Sequence, residues 1–192
     1  LPFYWNDFKQ TPLFTYILED VSELDKVFSN FRENIKTDIR KAQKQIEVYS
    51  DDNIEALYNL NKLTYKKQNL KIPRKLDFVK KIDEACKIRN CRKMFFGKDK
   101  NDQIHAAIYI VWDKKSCYYL MSSRNRDIKN IGATSLLLWE AIKFAASMNK
   151  SFDFEGSIIE PIERFFRAFG GVQTPYFRIT KTNSFLLRAR EA

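Results

Sequence analysis

The stretch CYYLMSSRNRDIKNIGATSLLLWEAIKFAASMNKSFDFEGS, Cys117 to Ser157, decides the fold. Cys117 to Met121 is short, apolar and aromatic, which suits a buried strand rather than a helix. Ser122 to Asn130 has no apolar rhythm and carries Arg124, Arg126 and Lys129, so it reads as a basic loop. Ile131-Gly132-Ala133 then opens a helix whose Leu137, Ala141, Phe144 and Met148 fall on one face, with Leu138 and Ala145 beside them. Ser151 to Phe154 is the next strand, and Glu155-Gly156-Ser157 leaves it. The helix N-terminus has free N–H groups and positive dipole charge, and the cationic loop before it adds to its attraction for an anion.

Upstream of this stretch the chain reads as an antiparallel meander. Lys93 to Gly97, Gln103 to Trp112 and Ser116 to Met121 are strands, joined by turns at Asp99–Asp102 and Asp113–Lys115. Both alternating sets of the middle strand are mostly apolar, so both of its faces are covered and it lies inside the sheet. Before the meander, Asp51-Asp52-Asn53 caps a helix carrying Ile54, Leu57, Tyr58 and Tyr65. A loop over Asn69 to Arg74 and a second helix with Val79, Ile82 and Cys86 in line follow it. Glu47-Val48-Tyr49 is a short strand.

Farther upstream, Leu1 to Thr11 reads as an irregular lead-in and Leu13 to Leu18 as a strand. Ser22 and Asp25 form a short polar capping signature. Phe28, Phe31, Ile35, Ile39, Ala42 and Ile46 then recur at helical spacing, in one long helix or two broken near Asn30. The opposite face carries Arg32, Lys36, Arg40, Lys41 and Lys44, and the segment is best taken as a core-facing stripe with a solvated face. Downstream, Pro161 opens a helix bearing Phe165, Phe166 and Phe169, Gly170-Gly171 stops it, and Pro175 to Thr180 is a last strand before a polar, basic tail.

Composition narrows the classes. With 192 residues, 44% hydrophobic and 15% aromatic, the chain can bury a core in one domain, or one domain plus a docking segment, and is too apolar for disorder. No apolar run approaches the roughly 20 residues needed to span a bilayer. Leu1-Pro2-Phe3 lacks an initiator Met and a signal peptide, and a piece cut from a longer protein is expected. Three cysteines without paired zinc spacing and one histidine lead us to expect no metal and a cytoplasmic location with buried free thiols. The net charge of +10 suits a polyanionic partner such as a coenzyme's phosphates, tRNA or an anionic membrane face. The plainer account is solubility of an aromatic-rich fold.

The order of elements, with three phrases inside it, resembles the GNAT acyltransferase superfamily, and more narrowly its FemAB-like branch related to the peptidoglycan aminoacyltransferases. The phrases are Asn34-Ile-Lys-Thr-Asp-Ile-Arg-Lys-Ala42, then Gly132-Ala-Thr-Ser-Leu-Leu-Leu-Trp-Glu-Ala-Ile-Lys143, then Phe152-Asp-Phe-Glu-Gly-Ser157 followed by Ile162 to Gly171. The resemblance implies an α/β (α+β) fold of the acyl-CoA N-acyltransferase type. A mixed central sheet would be flanked by helices, with a splayed parallel strand pair near 117–121 and 151–155. It divides the chain into residues 1–44, a lead-in strand and basic connecting helix, and 45–192, a GNAT-like domain, as if the second unit of a tandem protein.

The same resemblance implies direct transfer of an acyl or aminoacyl group from a phosphate-bearing donor to an amine, with strand N–H groups polarising the oxyanion. Glu155 is then the candidate base, Asp153 a weaker one, and Tyr176 the candidate acid. Arg124, Arg126, Lys129, Asn130, Gly132 and Ala133 would hold the donor's phosphates. Coenzyme A-binding members show Arg/Gln-x-x-Gly-x-Gly/Ala where this chain has Lys129-Asn-Ile-Gly132-Ala-Thr134. The donor is therefore open between acyl-CoA, acetyl-CoA first, and aminoacyl-tRNA, and the acceptor is an amine-bearing small molecule, peptide or cell-wall precursor. The alternative is a catalytically silent unit that binds an anionic partner or supports a missing domain. A stand-alone nucleic-acid binder rests on charge alone. His105 and Cys117 read as structural, the former satisfied in the core or at an edge, the latter inert.

Overall fold

The computed structural model describes residues 2–67, 69 and 71–183. Its elements in chain order are α1 (Pro2–Trp5), β1 (Lys9–Leu18), α2 (Leu24–Ser29), α3 (Glu33–Ala42), β2 (Glu47–Ser50), α4 (Ile54–Lys67) and α5 (Leu76–Ile88). They continue with β3 (Arg92–Lys98), β4 (Ile104–Trp112), β5 (Ser116–Arg124), α6 (Ala133–Ser147), β6 (Ser151–Asp153), α7 (Glu160–Arg167) and β7 (Val172–Thr180). The expected tail beyond 183 lies outside the described residues. Among the described residues no helix is long and apolar enough to cross a membrane.

Apolar residues on both faces of β4 demand cover on both sides, and they receive it. Ala106, Ile108 and Ile110 enter one core with α3, α6 and α7, while Ala107 and Tyr109 enter a second with α4 and α5. The seven strands lie in the order β2-β3-β4-β5-β6-β1-β7, mixed in direction, with β5 and β6 parallel and the other neighbouring pairs antiparallel. The expected mixed sheet flanked by helices is therefore present.

The N-terminal strand runs between β6 and β7: Ile17 is opposite both Asp153 and Val172. It begins at Lys9 and is preceded by a short helix, where the sequence suggested an irregular lead-in. Two prolines hid its length. Pro12 and Pro175 lie opposite Phe177 and Phe14, beyond the reach of β6, where each strand has an open side that needs no N–H donor.

The basic segment is two helices broken at Asn30–Arg32. Phe31 is buried there against Trp139 and Phe169, and the Arg32 N–H donates to the Ala168 carbonyl at 2.8 Å. Ile35, Ile39 and Ala42 are buried while Arg32, Arg40, Lys41 and Lys44 are exposed, the pattern of a core-facing stripe. Asn53 caps α4 as expected, its Oδ1 accepting the Ala56 N–H at 2.9 Å. Ser22 does not cap α2, because its N–H and hydroxyl both donate to Asp20, and Glu23 precedes the helix without a side-chain cap.

If α3 is integral to this core, Ile39→Ala lowers the unfolding free energy by about 2–5 kcal/mol while Lys41→Ala stays within about 0.5 kcal/mol of the parent. Urea denaturation measures both, and equal small effects would detach α3 from the folded unit.

Candidate functional site

The parallel pairing of β5 with β6 lasts three positions, Ser116 with Ser151, Cys117 with Phe152 and Tyr118 with Asp153. The Ser116 and Ser151 hydroxyls close that end at 2.7 Å. Past it the strands part. The Phe154 N–H turns to the Tyr16 carbonyl of β1 at 3.0 Å, and the Phe166 ring of α7 contacts both Tyr119 and Phe154, one on each diverging strand.

β5 keeps running beside β4 to Arg124, farther than the expected end at Met121, because α4 takes over from β6. The Ser122 carbonyl accepts from Asn61 Nδ2 at 3.0 Å and the Arg124 carbonyl from Thr64 Oγ1 at 2.9 Å. In an antiparallel strand a residue's N–H points the same way as its C=O, so the Ser122 and Arg124 N–H groups face the side that β6 has left. Tyr109 lies opposite Met121 and Ile110 opposite Tyr119, which leaves Leu120 as a bulged, unpaired residue. A cleft floored by backbone donors results.

At the mouth of this cleft β6 ends at Asp153, one residue short of the expected strand, and Glu155 beyond it takes a left-handed φ of 63°. Asp153 is engaged: it accepts from Thr15 Oγ1 and, at 2.8 Å, from the Glu155 N–H. Gly156 follows at φ 67°, and a Cβ there would collide with the Phe14 carbonyl. The Glu155 carboxyl has no hydrogen bond or ion pair among the described residues. The residue as a whole is exposed, yet the protein packed around its carboxyl strips hydration and, with the Asp153 carboxylate as the second cause, raises its pKa above the ordinary 4.5.

Beyond β5 lies the basic loop. Lys67 of α4 pairs with Asp127, so the loop's own acid is consumed. Arg124, Arg126 and Lys129 have no carboxylate partner among the described residues. Burial first, and the neighbouring Arg126 second, lower the pKa of Arg124. Asn130 Oδ1 accepts the Gly132 N–H at 3.2 Å. Gly132 precedes α6 at φ 85°, so close to α3 that a Cβ would collide with the Asp38 carbonyl. Ala133 is buried.

The structure thus gathers Arg124, Arg126, Asn130 and Gly132 on one loop at the end of β5, and sets Glu155 at the end of β6. Lys129 lines a separate cavity beside the α3–β2 turn. Tyr176 pairs with Leu13 on the far side of β1, two strands from β6 and about 10 Å across the sheet, while Gly156, next to Glu155, abuts the Phe14 carbonyl one residue along β1. Asn61, Thr64 and Thr15 hold the cleft and carried no local sequence signal. Cys117 is fully buried, with its thiol pushed up to about 12 by burial, and is inert.

The sequence pattern of the acetyltransferase (GNAT) domain matches residues 29–157, which include the parting strands, the loop and α6. The crystal structure of FemX matches with a TM-score of 0.76 at 12% identity, covering 93% of this chain and 64% of that one. The C-terminal domain of a putative lysylphosphatidylglycerol synthetase from Agrobacterium fabrum matches with a TM-score of 0.68 at 11% identity, covering 98% of this chain and 66% of that one. A possible acetyltransferase from Clostridium difficile matches with a TM-score of 0.52 at 14% identity, covering 73% of this chain and 99% of that one. These identities establish likeness of fold. The chain spans about two thirds of the length of the first two structures. No curated protein sequence matches it.

Two outcomes follow from the site's geometry. Because the native Glu155 carboxyl keeps its proton to higher pH than the unfolded one, stability falls as pH rises through and above 4.5. Glu155→Gln therefore melts higher than the parent at pH 7, with the gain shrinking toward zero as pH drops below that value; a pH-independent gain would assign the effect elsewhere. Gly132→Ala is strained in φ and in contact, and it lowers the melting temperature at every pH.

Proposed function

The chain belongs to the GNAT acetyltransferase family, and from that premise we propose that it transfers an acyl or aminoacyl group from a phosphate-bearing donor to an amine. One observation carries the reading: the cleft between β5 and β6 has an unpartnered, raised-pKa carboxyl at its mouth and unneutralised cations on the loop beyond. The donor lies between the parted strands with its phosphates against Arg124, Arg126 and the Asn130–Gly132 turn at the α6 N-terminus. The acceptor amine attacks the carbonyl, strand N–H groups hold the oxyanion, and Glu155 takes the amine proton directly or through water. The C–N bond forms as the C–S bond of a thioester, or the C–O bond of an aminoacyl ester, breaks. Tyr176, across β1 from the Glu155 turn, remains the candidate acid for the leaving group.

Acetyl-CoA is our first donor. The fold likeness to FemX and to a lysylphosphatidylglycerol synthetase domain supports a FemAB-like placement, with aminoacyl-tRNA as the other donor. The acceptor is an amine on a small molecule, a peptide or a cell-wall precursor. Three free thiols accord with a cytoplasmic setting. A second reading, a silent unit in a longer tandem protein, is favoured by the press of Gly132 against Asp38 and by Thr134 where the family pattern has a small residue.

A thermal melt with saturating coenzyme A or acetyl-CoA separates the two. A ligand at 100 times its Kd adds about 2.7 kcal/mol, roughly 5–10 °C for a chain of this size. An upward shift weakened by Arg126→Ala, followed by acetyl transfer to amines that Glu155→Gln slows by roughly 100-fold or more, supports the acyl-CoA enzyme. No shift removes that donor from this chain.

A further inference from the structure

A cavity of ≈ 770 Å³ lies outside the cleft, between the α3–β2 connection, the β3–β4 turn and the residues before α6. Gln43, Lys44, Ile46, Lys100, His105 and Lys129 are among its lining, and no residue of β5, β6 or the Glu155 turn is. Its floor is built by a bulge. Gly97 lies opposite Ala106 and Lys98 opposite Ile104, so His105 is the extra residue, turned out of the strand's alternation. His105 is 8% exposed, and its Nε2 meets Asp99 Oδ2 at 3.1 Å. Asp99 is fixed in turn by the N–H groups of Asn101 at 2.9 Å and Gln103 at 3.1 Å. The ring's Nδ1 has no partner among the described residues.

The charges do not cancel. The cavity's two acids are spoken for, Asp99 by His105 and the turn, and Glu47 by Lys98 at 3.7 Å. Lys44, Lys100 and Lys129 have no ion pair or side-chain hydrogen bond among the described residues. Three lysines without an ion pair border a space whose buried imidazole is oriented by a carboxylate, alongside Ile46 and Ile131. A single carboxylate would leave most of this charge unmet, whereas a phosphate monoester brings close to two negative charges and three acceptor oxygens. The volume falls in the range of about 300–1,000 Å³ that holds small ligands, well beyond free phosphate.

We propose that this cavity is a second anion site, for a phosphate monoester of nucleotide size, distinct from the acyl-transfer cleft. The monoester is either the far end of the donor or a separate phosphorylated molecule; the recognition chemistry is the same. Lys44 and Lys100 hold the phosphate, His105 positions it from below, and Lys129 reaches from the loop that the cleft also uses.

Isothermal titration of the full chain with adenosine 5′-monophosphate, with adenosine as the uncharged control, tests this. The nucleotide is expected to bind and adenosine not. Added salt should weaken binding, and Lys44→Ala/Lys100→Ala should raise Kd roughly tenfold or more with an unchanged melting temperature. His105→Gln, which keeps a polar side chain of similar reach, should weaken binding independently of that pair, and Glu155→Gln should leave it unchanged. Absence of saturation at millimolar nucleotide in low salt, or an unaltered Kd in the double variant, overturns the proposal. Coenzyme A that displaces the nucleotide identifies the donor's own phosphates as the occupant; coenzyme A that binds alongside it identifies a separate ligand. Nucleotide binding without any coenzyme A binding keeps this site and removes the acyl-CoA reading of the cleft.

Discussion

Three paired positions between β5 and β6 set the terms for the rest of the molecule. Were the pairing longer, there would be a continuous sheet and no cleft; were it absent, α6 would lack the fixed strand ends that place its N-terminus. Stopping a parallel ladder after Tyr118 and Asp153 strands backbone groups on both sides, and buried backbone groups need partners. On one side Asn61 and Thr64 of α4 supply them for β5. On the other, Tyr16 of β1 receives the Phe154 N–H, and Thr15 binds Asp153. The Phe166 ring packs against Tyr119 and Phe154 beside the parting strands. Helix α4 and strand β1 are thus not accessories of the cleft but the reason it stays open.

The same economy governs charge. Acids near the basic loop and near the cavity are tied to lysines, to backbone or to His105, so cations are left over in two neighbouring places. Glu155 is the inverse case, an acid left over where Asp153 has taken the turn's N–H. Its left-handed backbone costs about 1–2 kcal/mol for a residue with a Cβ. A glycine would remove that strain at once, and the chain carries glutamate there with Gly156 beside it.

How much of this could be read beforehand depended on range. The α6 helix, its glycine entrance, the Gly170 stop and the double-faced β4 are written in local periodicity, and they came through with small boundary errors. The bulges at Leu120 and His105 are properties of two strands in register, and no single strand displays them. Asn61 and Thr64 look like ordinary polar positions on a helix until β5 loses its neighbour. The left-handed turn at Glu155 gave no warning, since Glu-Gly usually places the strain on glycine. The position of β1 between β6 and β7 was invisible for the opposite reason: its partners lie at the far end of the sequence. His105, read as a satisfied histidine, has Nε2 met by Asp99 but Nδ1 without a partner among the described residues, and it lines a cavity.

That placement of β1 also constrains how the chain can come into being. A strand flanked on both edges by β6 and β7 is made first and paired last, roughly 130 residues later, on the order of 10 s at ribosomal rates. Throughout that interval Leu13 to Leu18, apolar and β-prone, has open edges and no native neighbour. Domain completion is therefore a late, long-range closure rather than a progressive one, slow for a chain of this length. Any nascent fragment that stops short of Val172 leaves the β7 edge of this strand open, which invites pairing with another copy of itself.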